Sequence, residues 1–82
     1  MIYMPETLAT ARAIRALLAE KDWTIKAVEE SAGYARGHLR RLLGNPSTIT
    51  FEDLHIIAEV LRVQPENITN RAQRIAEGRF DV

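Results

Sequence analysis

The side chains best placed to do chemistry in this 82-residue chain are Arg36, Arg40 and Arg41, in a stretch with no acidic residue between Glu30 and Glu52. A guanidinium presents donors in a fixed fork, which matches a guanine edge or a phosphate and little else as well. Offsets of three and four return to one side of an α-helix. A helix over 35–43 therefore buries Ala35, Leu39, Leu42 and Leu43 and turns Gly37, Arg40 and Arg41 outward. Arg36 falls at the shoulder and His38 on the other flank. A glycine inside such a helix costs roughly 1 kcal/mol relative to alanine, and close approach to a groove wall is one reason to accept it.

Something must hold that basic face in place, and the residues before it supply a partner helix over 24–32. Thr24 is an N-cap, Trp23 and Val28 are spaced as a hydrophobic staple, and Ile25, Val28 and Ala32 share a face. Gly33 ends it, because a left-handed residue is cheapest as glycine. A short helix, a tight glycine turn and a second helix that is apolar on one side and basic on the other is the plan of a helix-turn-helix.

The remaining segments read as support. A first helix runs from Pro5 or Glu6 to Lys21, with Leu8, Ala11, Ile14, Leu17 and Leu18 inward and Arg12 and Arg15 outward. Those two arginines form either a solvated face or a phosphate contact. Gly44-Asn45-Pro46-Ser47 is turn chemistry, with glycine and asparagine tolerant of positive φ. Thr50 and Asp53 have capping-box spacing before a helix over 50–62, whose stripe is Leu54, Ile57, Ala58 and Leu61, with Ile49 and Leu54 as staple. Gln64 and Pro65 open a last helix over 65–77. Its narrow stripe is Ile68, Ala72, Ile75 and Ala76, flanked by Arg71, Arg74 and Arg79; Gly78 ends it and Phe80 follows.

Trp23-Thr24, Val28, Ala32-Gly33-Tyr34, Leu39, Leu42, Gly44, Pro46, then Leu54, Ile57, Ala58, Leu61 and Val63 resemble the phage repressor and Cro-type (lambda-repressor-like) helix-turn-helix family, over about Arg12 to Ile68. The resemblance implies an all-α fold, a compact bundle of about five helices in which Tyr34 to Leu43 supplies the recognition helix. It implies that Arg36, Gly37 and Arg40 face the major groove, with Arg41 at its edge or on the backbone. It also lays the loop with Asn45, Ser47 and Thr48 along phosphates, the alternative being a plain connection. With His38, and with Thr24 and Lys26 at the entrance of the first motif helix, these are the candidate DNA-binding residues. Two positions depart from the family pattern. Ile25 stands where a phosphate-touching glutamine is usual, and Glu29 where a small residue packs between the helices. A carboxylate at 29 has to bend out to solvent or pair with Arg36 or Arg40, because burying it unpaired is prohibitive; the angle between the helices would then change.

Size and composition narrow the options. Eighty-two residues imply one domain over 1–82, and so short a chain buries only about 60–65% of its unfolded surface, with no room for a catalytic domain. There is no cysteine, hence no disulfide framework and no thiolate metal site. His55 and Glu59 lie one turn apart, but two histidines in all are too few for a metal centre. Ser31 has no local histidine and no glycine-rich phosphate cradle occurs, so the expectation is a cytoplasmic binder without catalytic site, metal or cofactor, and without a membrane span. Eleven basic side chains balance eleven acidic ones, which predicts modest non-specific affinity for nucleic acid. Double-stranded DNA with a palindromic operator is the expected partner, bound by a small repressor or Cro-like regulator. Three alternatives stay open. The chain can be the antitoxin of a toxin–antitoxin pair. It can be a protein-only module if Arg36 and Arg40 pair with Glu29 and Glu30. Its last helix and termini can join two copies or simply pack onto helix one.

Overall fold

The computed structural model describes residues 6–78. Its elements are α1 (Glu6–Lys21), α2 (Ile25–Ala32), α3 (His38–Gly44), a single 3₁₀ turn (Pro46–Thr48), α4 (Phe51–Leu61) and α5 (Pro65–Ala76), an all-α fold. The ends of α2, α4 and α5 fall within a residue of the places the sequence marks, and the caps show why. Thr24 Oγ1 accepts from the Ala27 amide at 3.0 Å. Thr50 and Asp53 make the reciprocal box, with Asp53 N donating to Thr50 Oγ1 at 3.1 Å and Thr50 N to Asp53 Oδ2 at 3.0 Å. Each bond satisfies a donor that the first turn of a helix would leave free. Gly33 ends α2 at φ 73, and its left-handed turn sends the Tyr34 amide back to the Glu29 carbonyl. Gln64 holds the cap position of α5 without a side-chain bond, so Pro65 carries that start.

The core runs through every helix: Ile14, Leu17, Val28, Leu39, Ile57, Leu61 and Ile68 are essentially inaccessible. α1 is its spine, packing against α5, the 3₁₀ turn and α3. That position corrects the stripe read from its sequence. Leu8 is 41% exposed, whereas Ala9 and Ala13 are fully buried. Contact on several sides favours small residues, and an alanine carries too little hydrophobic weight to reveal a buried position by periodicity. The narrow stripe of α5 is taken up by α1 and α4, with Ile68 and Ala72 buried and Ile75 and Ala76 packed at the margin. Across the same seam Arg71 of α5 forms a forked ion pair with Glu20 of α1. The apolar N-terminal residues, the Pro5 start, Arg79 and Phe80 lie outside the described residues. None of the described helices is long and apolar enough to cross a membrane.

The largest correction is to α3. The sequence predicts a helix over 35–43, but Gly37 adopts φ 82 and caps a helix that begins at His38. A left-handed residue cannot lie inside a right-handed helix. Ala35 is accordingly an exposed turn residue whose carbonyl accepts from the His38 amide at 3.0 Å, and Arg36 precedes the helix. The turn after α3 differs as well. Asn45 has φ −135, and the reversal is made by the 3₁₀ turn at Pro46 rather than by positive φ.

Truncating Ile57, at the centre of the core, to alanine is expected to cost about 2–5 kcal/mol of stability. Removing the α4 cap by Thr50→Ala is expected to cost about 1 kcal/mol. Urea unfolding followed by far-UV circular dichroism measures both, and the order of the two losses is the check.

Candidate nucleic-acid interface

The basic segment is held from behind by a carboxylate. Glu29 lies on the buried side of α2 at 6% exposure, and its oxygens reach the start of α3. Oε1 accepts from the Gly37 amide at 3.1 Å, and Oε2 accepts from Leu39 at 2.8 Å and Arg40 at 3.3 Å. These amides stand where a helix has donors without intrahelical acceptors. The expectation that Glu29 bends out to solvent or pairs with Arg36 or Arg40 is therefore wrong. Backbone amides answer the charge in place of a guanidinium. Burial pushes the Glu29 carboxyl up, but the bonds from Gly37, Arg40 and Leu39, with the charge of Arg40, outweigh it and hold the group below the usual carboxylate range.

Gly37 makes this grip possible through its backbone. Its left-handed conformation belongs to the turn that brings its amide to Glu29, and a β-carbon added there would come 3.4 Å from Arg41 Nη1. The glycine is thus explained by the turn, without appeal to a groove wall.

A second anchor ties the same segment to α4. Tyr34 donates its hydroxyl to Asp53 Oδ1 at 2.8 Å, the same carboxylate that caps α4. The His38 ring meets the Tyr34 ring edge-on, centroids 4.6 Å apart at 66°. His38 is in consequence half-buried rather than fully out on a flank. Burial works to raise the Asp53 carboxyl, but bonds from Thr50 and Tyr34 and the nearby His38 bring it below its ordinary value. Burial, together with the Asp53 bond and charge, pushes the Tyr34 hydroxyl well above the usual range. The sequence marked Asp53 only as a cap and Tyr34 only by resemblance; their 19-residue separation left no local signal of the contact.

In front of these anchors Arg36, Arg40 and Arg41 are exposed, and the only ion pair among the described residues is the distant one of Arg71 with Glu20. An open cleft of about 720 Å³ separates α3 from the start of α4, lined by His38, Arg41, Asn45, Thr48, Thr50 and Glu52. At its end Ser47 donates to Asn45 Oδ1 at 3.0 Å and Thr48 Oγ1 to the Asn45 carbonyl at 2.7 Å, which stiffens the turn. Thr24 and Lys26 are exposed at the entrance of α2, the Thr24 oxygen being engaged in its cap. Ile25 is half-buried against the core, so an apolar contact stands where a glutamine is usual in the resembling family. His55, read beside Glu59, has Nδ1 2.9 Å from its own helix's Phe51 carbonyl.

The α2–turn–α3 geometry agrees with comparison by family. A family model described as a Cro/C1-type HTH DNA-binding domain matches residues 13–72. The chain belongs to the Cro/C1-type helix-turn-helix DNA-binding family. No curated protein and no solved structure matches it. In this Cro/C1-type domain α2 and α3 are the two motif helices, bound to each other by the Glu29 carboxylate and to α4 by Tyr34.

Gly37→Ala is expected to cost about 1–2 kcal/mol from the left-handed backbone alone, measurable by the same urea titration. The acid limb of stability follows from the two lowered carboxyls. Glu29 and Asp53 contribute fully above the ordinary carboxylate value and lose that contribution as pH falls through their lower folded values. An acid titration of the fluorescence of Trp23, the chain's one tryptophan, is expected to show unfolding that becomes less steep in Glu29→Gln and in Asp53→Asn.

Proposed function

We propose that this Cro/C1-type domain is a sequence-specific regulator of transcription that acts by occupying an operator in double-stranded DNA, as a small phage-type repressor or Cro-like protein does. The observation that carries the reading is the division of charge around α3. The acid beside it is turned inward onto amides, while Arg36, Arg40 and Arg41 stay exposed without ion pairs among the described residues. A protein-only module with the arginines spent on Glu29 and Glu30 would need the opposite arrangement.

In this reading Arg40, on α3, and Arg36, in the turn before it, read base edges, and Arg41 lies at the groove edge or on phosphate. Gly37 in the turn and His38 at the head of α3 lie against the groove. Asn45, Ser47 and Thr48 run beside the backbone on one side, and Thr24 and Lys26 on the other. Arg12 and Arg15, exposed on α1, are further phosphate contacts. Two copies bind half-sites about 34 Å apart in a palindrome, the usual arrangement for such readers. A net charge of zero keeps non-specific binding weak, so discrimination rests on geometry.

Selection of bound sequences from random duplex DNA tests binding, specificity and half-site symmetry together; an unenriched pool would end the proposal. On the selected operator, Arg40→Ala is expected to cost about 1–3 kcal/mol and relax base preference at one position. Arg12→Ala is expected to weaken all duplexes alike and to reduce the salt slope by about one. Mobility-shift titrations at two salt concentrations read both, and a uniform loss with Arg40→Ala would remove it from base reading. Light scattering with and without operator gives the number of copies bound.

A further inference from the structure

We propose that Glu29 is the positioning residue of DNA reading in this domain, its carboxylate fixing the backbone from which the base-reading arginines project. The inference rests on the functional reading above and adds to it a residue that cannot itself touch DNA, being buried between α2 and α3.

α3 has seven residues, too few to hold a helix by its own hydrogen bonds in water. It has no side-chain cap and no acidic residue in its first turn, since its cap position is Gly37. Gly37 sets where it starts, and the carboxylate reaching across from α2 ties that start down. That group binds the amide of Arg40 itself and the amide of Gly37, the residue next to Arg36. The two guanidinium groups assigned to base edges are thus rooted within one residue of a bond to Glu29. Productive contacts tolerate errors of about 0.5 Å and 10–20°, so a helix start free to rock or roll cannot aim a fork at one base.

The same charge acts in the opposite direction on unselective binding. A carboxylate beneath a basic face opposes the approach of phosphates, and its removal leaves that face one unit more positive. Loss of Glu29 accordingly weakens operator binding while leaving binding to arbitrary duplex unchanged or stronger. A residue that merely supported the fold would lower both together. The carboxylate also occupies the amides at the head of α3, so the contacts this helix makes with DNA come from its side chains.

The experiment compares the unsubstituted chain with Glu29→Gln and Glu29→Ala, at a temperature where circular dichroism shows all three folded. Each is titrated with the selected operator and with a scrambled duplex at two salt concentrations. The expected result is an operator affinity lower by about tenfold or more. Scrambled-duplex affinity is expected unchanged or raised up to about threefold, so that the ratio collapses. A ratio preserved in both variants overturns the proposal. If neither variant folds, amide hydrogen exchange on the unsubstituted protein decides. Leu39 and Arg40 are expected to exchange slowly although they open a helix, and fast exchange there overturns the proposal. Failure of the underlying reading has a different signature: the unsubstituted chain itself would fail to prefer the operator.

Discussion

A carboxylate shut away from water must have its charge answered nearby, and in this chain three backbone amides answer that of Glu29. The arrangement solves two problems at once. An acid in the seam between two helices would be prohibitive alone, and the first amides of α3 would lack acceptors alone. Each is the other's partner. The conformation of Gly37 belongs to the same solution, because a left-handed residue at that point lets the chain present its amides to α2 and still enter α3. With the acid engaged by backbone, no arginine is drawn inward, and the outer face of the motif remains cationic.

The rest of the molecule keeps that joint rigid. α1 supplies the wall, lying against α3, the 3₁₀ turn and α5, while Leu39, Leu42 and Leu43 sink into the core from the back of α3. α4 adds a polar tether: Asp53 caps its own helix with one oxygen and takes the Tyr34 hydroxyl with the other. His38 rests edge-on against the ring of Tyr34, so the head of α3 is constrained from α2 and α4 together. A short helix with little intrinsic stability is thereby held by tertiary contacts. Rigidity matters here because the chain carries no excess of positive charge to bind DNA indiscriminately.

The elements with local signals were legible. The Thr24 and Thr50 caps, Pro65 at the head of α5, Gly33 at φ 73 and the stripes of α4 and α5 each depend on residues within a turn or two of one another. The errors arose where several surfaces compete for one segment. In α1 the alanines at 9 and 13 are buried and Leu8 is not, because contact on more than one side selects for small size. In α3 the predicted helix began too early, since a glycine read as tolerated within a helix is the residue that starts one.

By itself the sequence determined the all-α class, the order of the helices and the clustering of Arg36, Arg40 and Arg41, since helical periodicity and capping act between neighbours along the chain; the family followed from a resemblance over about Arg12 to Ile68. Only the tertiary structure decided where Glu29 points, how Tyr34 meets Asp53, and that Arg36 and Gly37 belong to a turn rather than to a longer helix. Glu29 and the Leu39 amide are ten residues apart and on different helices, so no local pattern can state that a carboxylate and a row of amides will meet. Whether a buried charge is intolerable or structural depends on that meeting, because its free energy is set by the partners the fold brings within hydrogen-bonding distance.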